Sequence, residues 1–272
     1  MASFTIEPNE RITFKVRYED EDVLVVSKPA HVVTTPGLGH DIDSLLNGLF
    51  AHYGPKLQNL GKARDFGLLH RLDKDTSGLV IVGLRARAYD KLREIFEQRE
   101  VGKYYWAIVK GRPKGDSGVI RKPILEYEGK SGKDPRTKKL ARISPAGKPA
   151  VTAWRVLDSG VAASLLECRA VTGRLHQLRV HLDSIGCPIL GDDLYGPASV
   201  RSAAPRVALH AHRVVFPHPE TGEKIDVQAA WPSDLKGLLK RLGLKRPDLE
   251  PAVTKPARNG DSESAAGEAA DE

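Results

Sequence analysis

Cysteine is scarce in this chain: Cys168 and Cys187 are the only two, with no CxxC spacing and no histidines at zinc-finger distance. This excludes a disulfide framework and a zinc-ribbon site, and predicts two core or near-core thiols in a reducing compartment. No apolar run approaches the roughly 18 residues that a membrane span requires. The opening Met1-Ala2-Ser3-Phe4-Thr5 lacks the basic-then-apolar pattern of a signal peptide, so a cytoplasmic location with no membrane partner is expected. There is no internal repeat and no glycine-rich phosphate loop of Rossmann or Walker type.

What remains is an ordinary globular composition, 40% hydrophobic and 28% charged over 272 residues, with an uneven charge. Residues 251–272 sum to −3, which leaves +10 on residues 1–250. A basic body favours a polyanionic partner, because neutralised phosphates release condensed counterions. Beyond Arg246 the chain turns to Pro, Ala, Glu, Ser and Gly, too little apolar surface to offset ordering entropy. The expected organisation is an N-terminal arm over residues 1–10, one folded domain over 11–246, and a disordered acidic tail over 247–272.

Along the domain, Ile12, Phe14, Val16 and Tyr18 alternate with polar residues and predict a half-buried strand, with Val23–Val26 as its buried hairpin partner. Leu45, Leu46, Leu49 and Phe50 have helical spacing, with Gly54-Pro55 as a stop signal. Ala86–Gln98 reads as a helix with Leu92, Ile95 and Phe96 inward. Lys103–Lys110 reads as a strand with Tyr105 on one face and Trp106 on the other. Residues 129–148, rich in Lys, Arg, Gly and Pro, read as a mobile basic loop. Val151–Leu157, Ala162–Val171, Val207–Phe216 and Ile225–Ala230 are further strands. A helix is expected from about Arg174 to Ile185, and Ser233 as the cap of a last one. Strands outnumber helices and many links are short, so the fold class is α+β with a mixed, mainly antiparallel sheet.

Two segments carry candidate chemistry. The nine residues His70-Arg71-Leu72-Asp73-Lys74-Asp75-Thr76-Ser77-Gly78 place a carboxylate beside two cations, immediately before the apolar run Leu79–Val82. A run so continuously apolar predicts a strand buried on both faces, a rigid support for one oriented Asp; the plainer alternative is a solvated turn. Thr172–Leu182 is dense in polar residues at a helix start. Arg179 there sits at the edge of the Leu175, Leu178, Leu182, Ile185 stripe, able to hold a carboxylate in bidentate geometry or simply to pair with Asp183. His176 and His181 are five apart and face different directions, so no metal site is expected.

These segments resemble the RluA-type pseudouridine synthases. His70–Gly78 is similar to that family's catalytic signature. Lys103-Tyr104-Tyr105-Trp106-Ala107-Ile108-Val109-Lys110-Gly111 resembles its K-x-Y-x-A-x-V-x-G strand. Thr172–Leu182, continuing through Gly186–Asp192 and Tyr195-Gly196, resembles its long C-terminal motif, and Leu209–His212 with Phe216–Pro219 its closing strand. The likeness spans roughly residues 12–232. It implies a pseudouridine synthase fold, a mixed sheet split by a central catalytic cleft, and a monomeric enzyme that isomerises particular uridines of ribosomal or transfer RNA without cofactor or metal. Carried over by position, Asp73 is the catalytic aspartate, Arg179 its partner, and Tyr105 packs on the flipped base. Arg71 takes the vacated place in the stack, and His70, Lys103, Arg174, His176 and Gln177 join it as RNA contacts. About ten residues precede the first strand, so the N-terminal S4 RNA-binding module of many relatives is expected to be absent.

The chemistry suits these residue types. An unperturbed Asp, pKa about 3.9, is ionised at neutrality, and a guanidinium alongside opposes the desolvation of a cleft. Attack on the ribose, attack on uracil C6, and proton abstraction are all open to such a group. Lys133, Arg136, Lys138 and Lys139 would hold RNA backbone rather than specify sequence. A non-catalytic RNA binder has no need of a carboxylate facing phosphates. A glycosidase needs opposed carboxylates, which Asp73 and Asp75 in one turn do not provide.

Overall fold

The computed structural model describes residues 5–37, 39–130, 137–247 and 249. The predicted tail, apart from residues 247 and 249, and the basic residues Lys133 and Arg136 lie outside them, as does the side chain of Lys138. Residues 5–10 of the expected arm lie along the first helix: Asn47 Nδ2 donates to Glu7 O at 2.7 Å and Thr5 N to Gln58 Oε1 at 2.8 Å.

In chain order the elements are β1 (Lys15–Glu19), β2 (Val23–Lys28), α1 (Leu45–Leu60), β3 (Ser77–Gly83), α2 (Ala86–Glu97), β4 (Gly102–Lys110), β5 (Ser117–Ile120), β6 (Ile124–Lys130), β7 (Thr137–Ile143), β8 (Thr152–Ser159), β9 (Ala163–Ala170), α3 (Gln177–Asp183), α4 (Ala198–Arg201), β10 (Leu209–Pro217), β11 (Lys224–Gln228) and α5 (Lys236–Arg241). Nine strands among the described residues form one sheet in the order β1-β2-β3-β10-β4-β9-β8-β5, with β11 on β10. Its pairings are antiparallel except β3 with β10, which is parallel and only two residues long, His210↔Ser77 and Ala211↔Gly78. At this junction Gly78 has φ +121°, and a Cβ there would lie 2.2 Å from Ala211 O. No other residue type lets the two backbones approach so closely. The strand predicted from Leu79–Val82 is buried along its whole length.

Four elements differ from the sequence expectation. α1 runs through Pro55 to Leu60, because Leu57 and Leu60 continue its buried face; core burial here outweighs the roughly 3 kcal/mol cost of an internal proline. It begins with a capping box in which Ser44 and Asn47 exchange backbone and side-chain hydrogen bonds. Within the expected loop over 129–148, residues 129–130 and 137–143 are instead parts of the antiparallel strands β6 and β7. Their cross-strand pair Tyr127↔Leu140 and the Arg142 guanidinium over the Tyr127 ring hold them, and Ile124 and Ala141 bury against Ala150 and Val180. α3 begins at Gln177 rather than Arg174, because His176 adopts φ +50°. Ser233 opens a 3-10 turn without capping α5 through its side chain.

Candidate active site

Asp73 sits in the turn entering β3, and its backbone is held from four directions. Thr34 Oγ1 donates to Leu72 O at 2.8 Å, and Thr76 N to Asp73 O at 3.1 Å. Lys28 Nζ donates to Lys74 O at 3.1 Å, and Arg206 NH1 to Asp75 O at 3.1 Å. Four consecutive carbonyls are thus occupied, two of them by buried cations. Lys28 also donates to Pro29 O and Val32 O, so its three carbonyl acceptors match the three N–H bonds of the ammonium form. Burial pulls its pKa down to about 7, opposed by the Asp73 and Asp75 carboxylates. Lys28, Thr34 and Arg206 were not singled out from the sequence; Lys28-Pro29 closing an apolar strand was the one local signal.

The Asp73 side chain keeps 27% exposure, and Arg179 NH1 reaches its Oδ2 at 3.4 Å. The guanidinium is itself buried and spends its fork elsewhere: Nε and NH2 grip Asp192 at 2.8 and 2.7 Å, and NH2 also reaches Asp193 at 3.1 Å. Asp192 further accepts the N–H groups of Leu194 and Tyr195. Burial works against the Arg179 charge, but Asp192, with Asp73 and Asp193, outweighs it and holds the group protonated. Asp183, the expected alternative partner, is not bonded to it. Gly191, at φ +78°, lets this loop pass against Arg206, whose carbonyl a Cβ would meet at 1.9 Å.

Tyr105 comes from β4, buried on the Asp73 side. Burial, with the Asp73 charge adding, raises its phenol pKa, so it remains a hydroxyl donor. Trp106 turns to the opposite face and stacks on His212 at 3.9 Å between centroids. Arg71 is exposed and makes no ion pair or hydrogen bond with a described residue. Lys103 is half-buried with its ammonium 5.3 Å from the Phe96 ring centroid. Arg174 is partly exposed and donates to Pro149 O at 3.2 Å. His176 lies beside Asp73, its Nε2 3.9 Å from Oδ2.

Two residues expected to touch RNA are used internally. The His70 ring turns toward β3, where its Nε2 accepts the Ile81 N–H at 3.1 Å. Gln177 is buried; its Oε1 accepts from Thr172 Oγ1 and Arg174 N, and its Nε2 donates to Val151 O and Thr152 Oγ1. All its hydrogen-bonding capacity pins the turn before α3. For a cation, the described residues offer one three-ligand cluster, Asp20, Asp22 and His218. His218 Nδ1 there accepts two backbone N–H groups, which puts its proton on Nε2, facing Asp20 at 3.0 Å, and leaves no lone pair for a metal.

Burial also makes the site's surroundings sensitive to acid. It pushes both His70 and His210 down to about 3, against an ordinary value near 6.5. Between those values the unfolded chain binds protons that the folded one refuses. The share of stability set by these two histidines should therefore be constant above pH 6.5 and fall below it, by about 1.4 kcal/mol per unit per histidine. Urea midpoints at pH 7, 5.5 and 4.5 test this, with His210→Asn expected to flatten the slope; equal midpoints at all three values would contradict it.

Comparison with known proteins bears on the fold and the family. The sequence model of the RNA pseudouridylate synthase family matches residues 22–184. An uncharacterized RNA pseudouridine synthase of Synechocystis sp. is 36% identical over 239 residues, 88% of this chain and 72% of that one. The ribosomal large subunit pseudouridine synthase D of Neisseria meningitidis is 38% identical over 251 residues, 87% of this chain and 63% of that one. The solved human RNA pseudouridylate synthase domain containing 4 superposes with TM-score 0.65 at 28% identity, covering 86% of this chain and 95% of that one. Fold and likeness together define an RNA-modifying isomerase. The chain belongs to the RNA pseudouridylate synthase family.

Proposed function

We propose that this enzyme converts specific uridines of ribosomal RNA, transfer RNA or both to pseudouridine, with Asp73 as the catalytic carboxylate. The observation that carries the reading is the asymmetry of that carboxylate: Oδ2 lies against the buried Arg179, while Oδ1 has no partner among the described residues. A charged oxygen so oriented is equipped to act on the ribose or the base. Isomerisation conserves atoms and oxidation level, and the reading assigns it no cofactor or metal. The target base must leave its stack, at a cost of a few kcal/mol; in this reading Arg71 would fill the gap and Tyr105 would offer a ring face and a hydroxyl. Lys103, Arg174 and His176 would hold the RNA backbone. The name of the Neisseria relative favours large-subunit ribosomal RNA as the substrate.

Mapping pseudouridines in total RNA from a deletion strain and its parent tests the assignment. One or a few large-subunit sites missing in the deletion, and restored by the purified enzyme, are expected. Unchanged maps in both ribosomal and transfer RNA would reject it.

A further inference from the structure

His176 shares an oxygen with Arg179, since both approach Oδ2 of Asp73, at 3.9 and 3.4 Å. Its other nitrogen, Nδ1, lies 2.8 Å from the hydroxyl of Tyr195. That hydroxyl also accepts the backbone N–H of Ala141, on β7, at 3.0 Å, and for its own hydrogen Nδ1 is the one acceptor among the described residues. An imidazole that accepts at Nδ1 carries its proton on Nε2, the nitrogen facing Asp73. The Tyr195 ring meets the His176 ring edge-on and lies 5.3 Å from the Arg179 guanidinium. One tyrosine therefore touches the hairpin, the histidine and the arginine. Burial pulls the His176 pKa down against the upward pull of Asp73; Arg179 adds to the lowering, and Asp192 and Asp193 oppose it.

We propose that His176 is a positioning residue for the reaction. Its Nε2–H, fixed in that tautomer by the Tyr195 hydroxyl, steadies Oδ2 of Asp73 together with Arg179, so that Oδ1 is the oxygen presented to the substrate. Through Ala141, the same hydroxyl ties this orientation to the seating of the β6–β7 hairpin. The separation is 3.9 Å, and catalytic contacts of this kind tighten when substrate is bound. The inference rests on the reading of Asp73 given above and assigns His176 a task beyond holding RNA backbone.

His176 itself supplies a discriminating experiment, because its backbone has φ +50°. Asn is among the residues that best tolerate that conformation, so a merely conformational role favours His176→Asn over His176→Gln. The Gln amide nitrogen, by contrast, reaches the place of Nε2, whereas that of Asn reaches only the place of Nδ1. The proposal therefore ranks His176→Gln above His176→Asn in kcat on an RNA substrate, with KM little changed. Tyr195→Phe keeps the ring and should lower kcat roughly tenfold at unchanged KM. In the His176→Gln background, whose amide needs no tautomer fixed, the same substitution should change kcat by less than about twofold. Asn equal to or better than Gln, full kcat in Tyr195→Phe, an undiminished Tyr195→Phe effect in the Gln background, or changes confined to KM would each overturn it. Activity of Asp73→Asn, measured alongside, reports separately on the reading beneath.

Discussion

Asp73→Asn should abolish pseudouridine formation, by roughly 10²–10⁴-fold or beyond detection, while the protein folds and binds RNA as before. The substitution keeps the shape of the side chain and removes its charge. With the amide oxygen turned to Arg179, an NH2 faces the substrate; turned the other way, it meets the guanidinium N–H, donor against donor. Neither orientation leaves a nucleophile or a base. The fold should tolerate the change because Thr34, Lys28 and Arg206 hold the carbonyls of residues 72, 74 and 75, not the carboxylate of 73. Mass-spectrometric detection of pseudouridine, paired with a filter-binding titration of the same RNA, reads both halves. Turnover near that of the unsubstituted enzyme would remove Asp73 from the chemistry.

Arg179→Met should cost activity and stability together. It strips the fully buried Asp192 of its bidentate partner, and an uncompensated buried charge costs about 3–5 kcal/mol. The Leu194 and Tyr195 N–H groups still reach that carboxylate, which places the expected loss toward the lower end. Arg179→Lys should recover part of the stability and little of the turnover. A single ammonium can stay near Asp192 but cannot fork to it and reach Asp73 as well. Urea midpoints and turnover of both variants decide the matter; Arg179→Met with the stability of the unsubstituted protein would refute the account.

The sequence displays some of this site and conceals the rest for physical reasons. Periodicity located β4 and α2, and the continuous apolar run Leu79–Val82 located β3, the support of Asp73. The β6–β7 hairpin was concealed because its stability comes from few apolar positions, Ile124, Leu140 and Ala141, spread among cations. α1 passed its apparent stop because a proline penalty is local while the burial of Leu57 and Leu60 is decided by distant packing. Polar residues were the least legible. Gln177 and His70 look like surface contacts in a polar motif, yet each is consumed by backbone groups that only the folded chain brings near. Asp192 lay within a recognised stretch, but nothing in its neighbours reveals that it, rather than Asp73, receives the two-pronged grip of Arg179.

The two-residue pairing of β3 with β10 leaves the middle of the sheet weakly laced by its own backbone. Rigidity across that line comes from side chains: Arg206, just ahead of β10, bonds both Asp75 O and Ser77 Oγ, and His210 meets the same serine at 2.9 Å. Cross-ties a few ångströms long thus stand in for a backbone ladder along that line, and they set the turn that carries Asp73 against the start of β10.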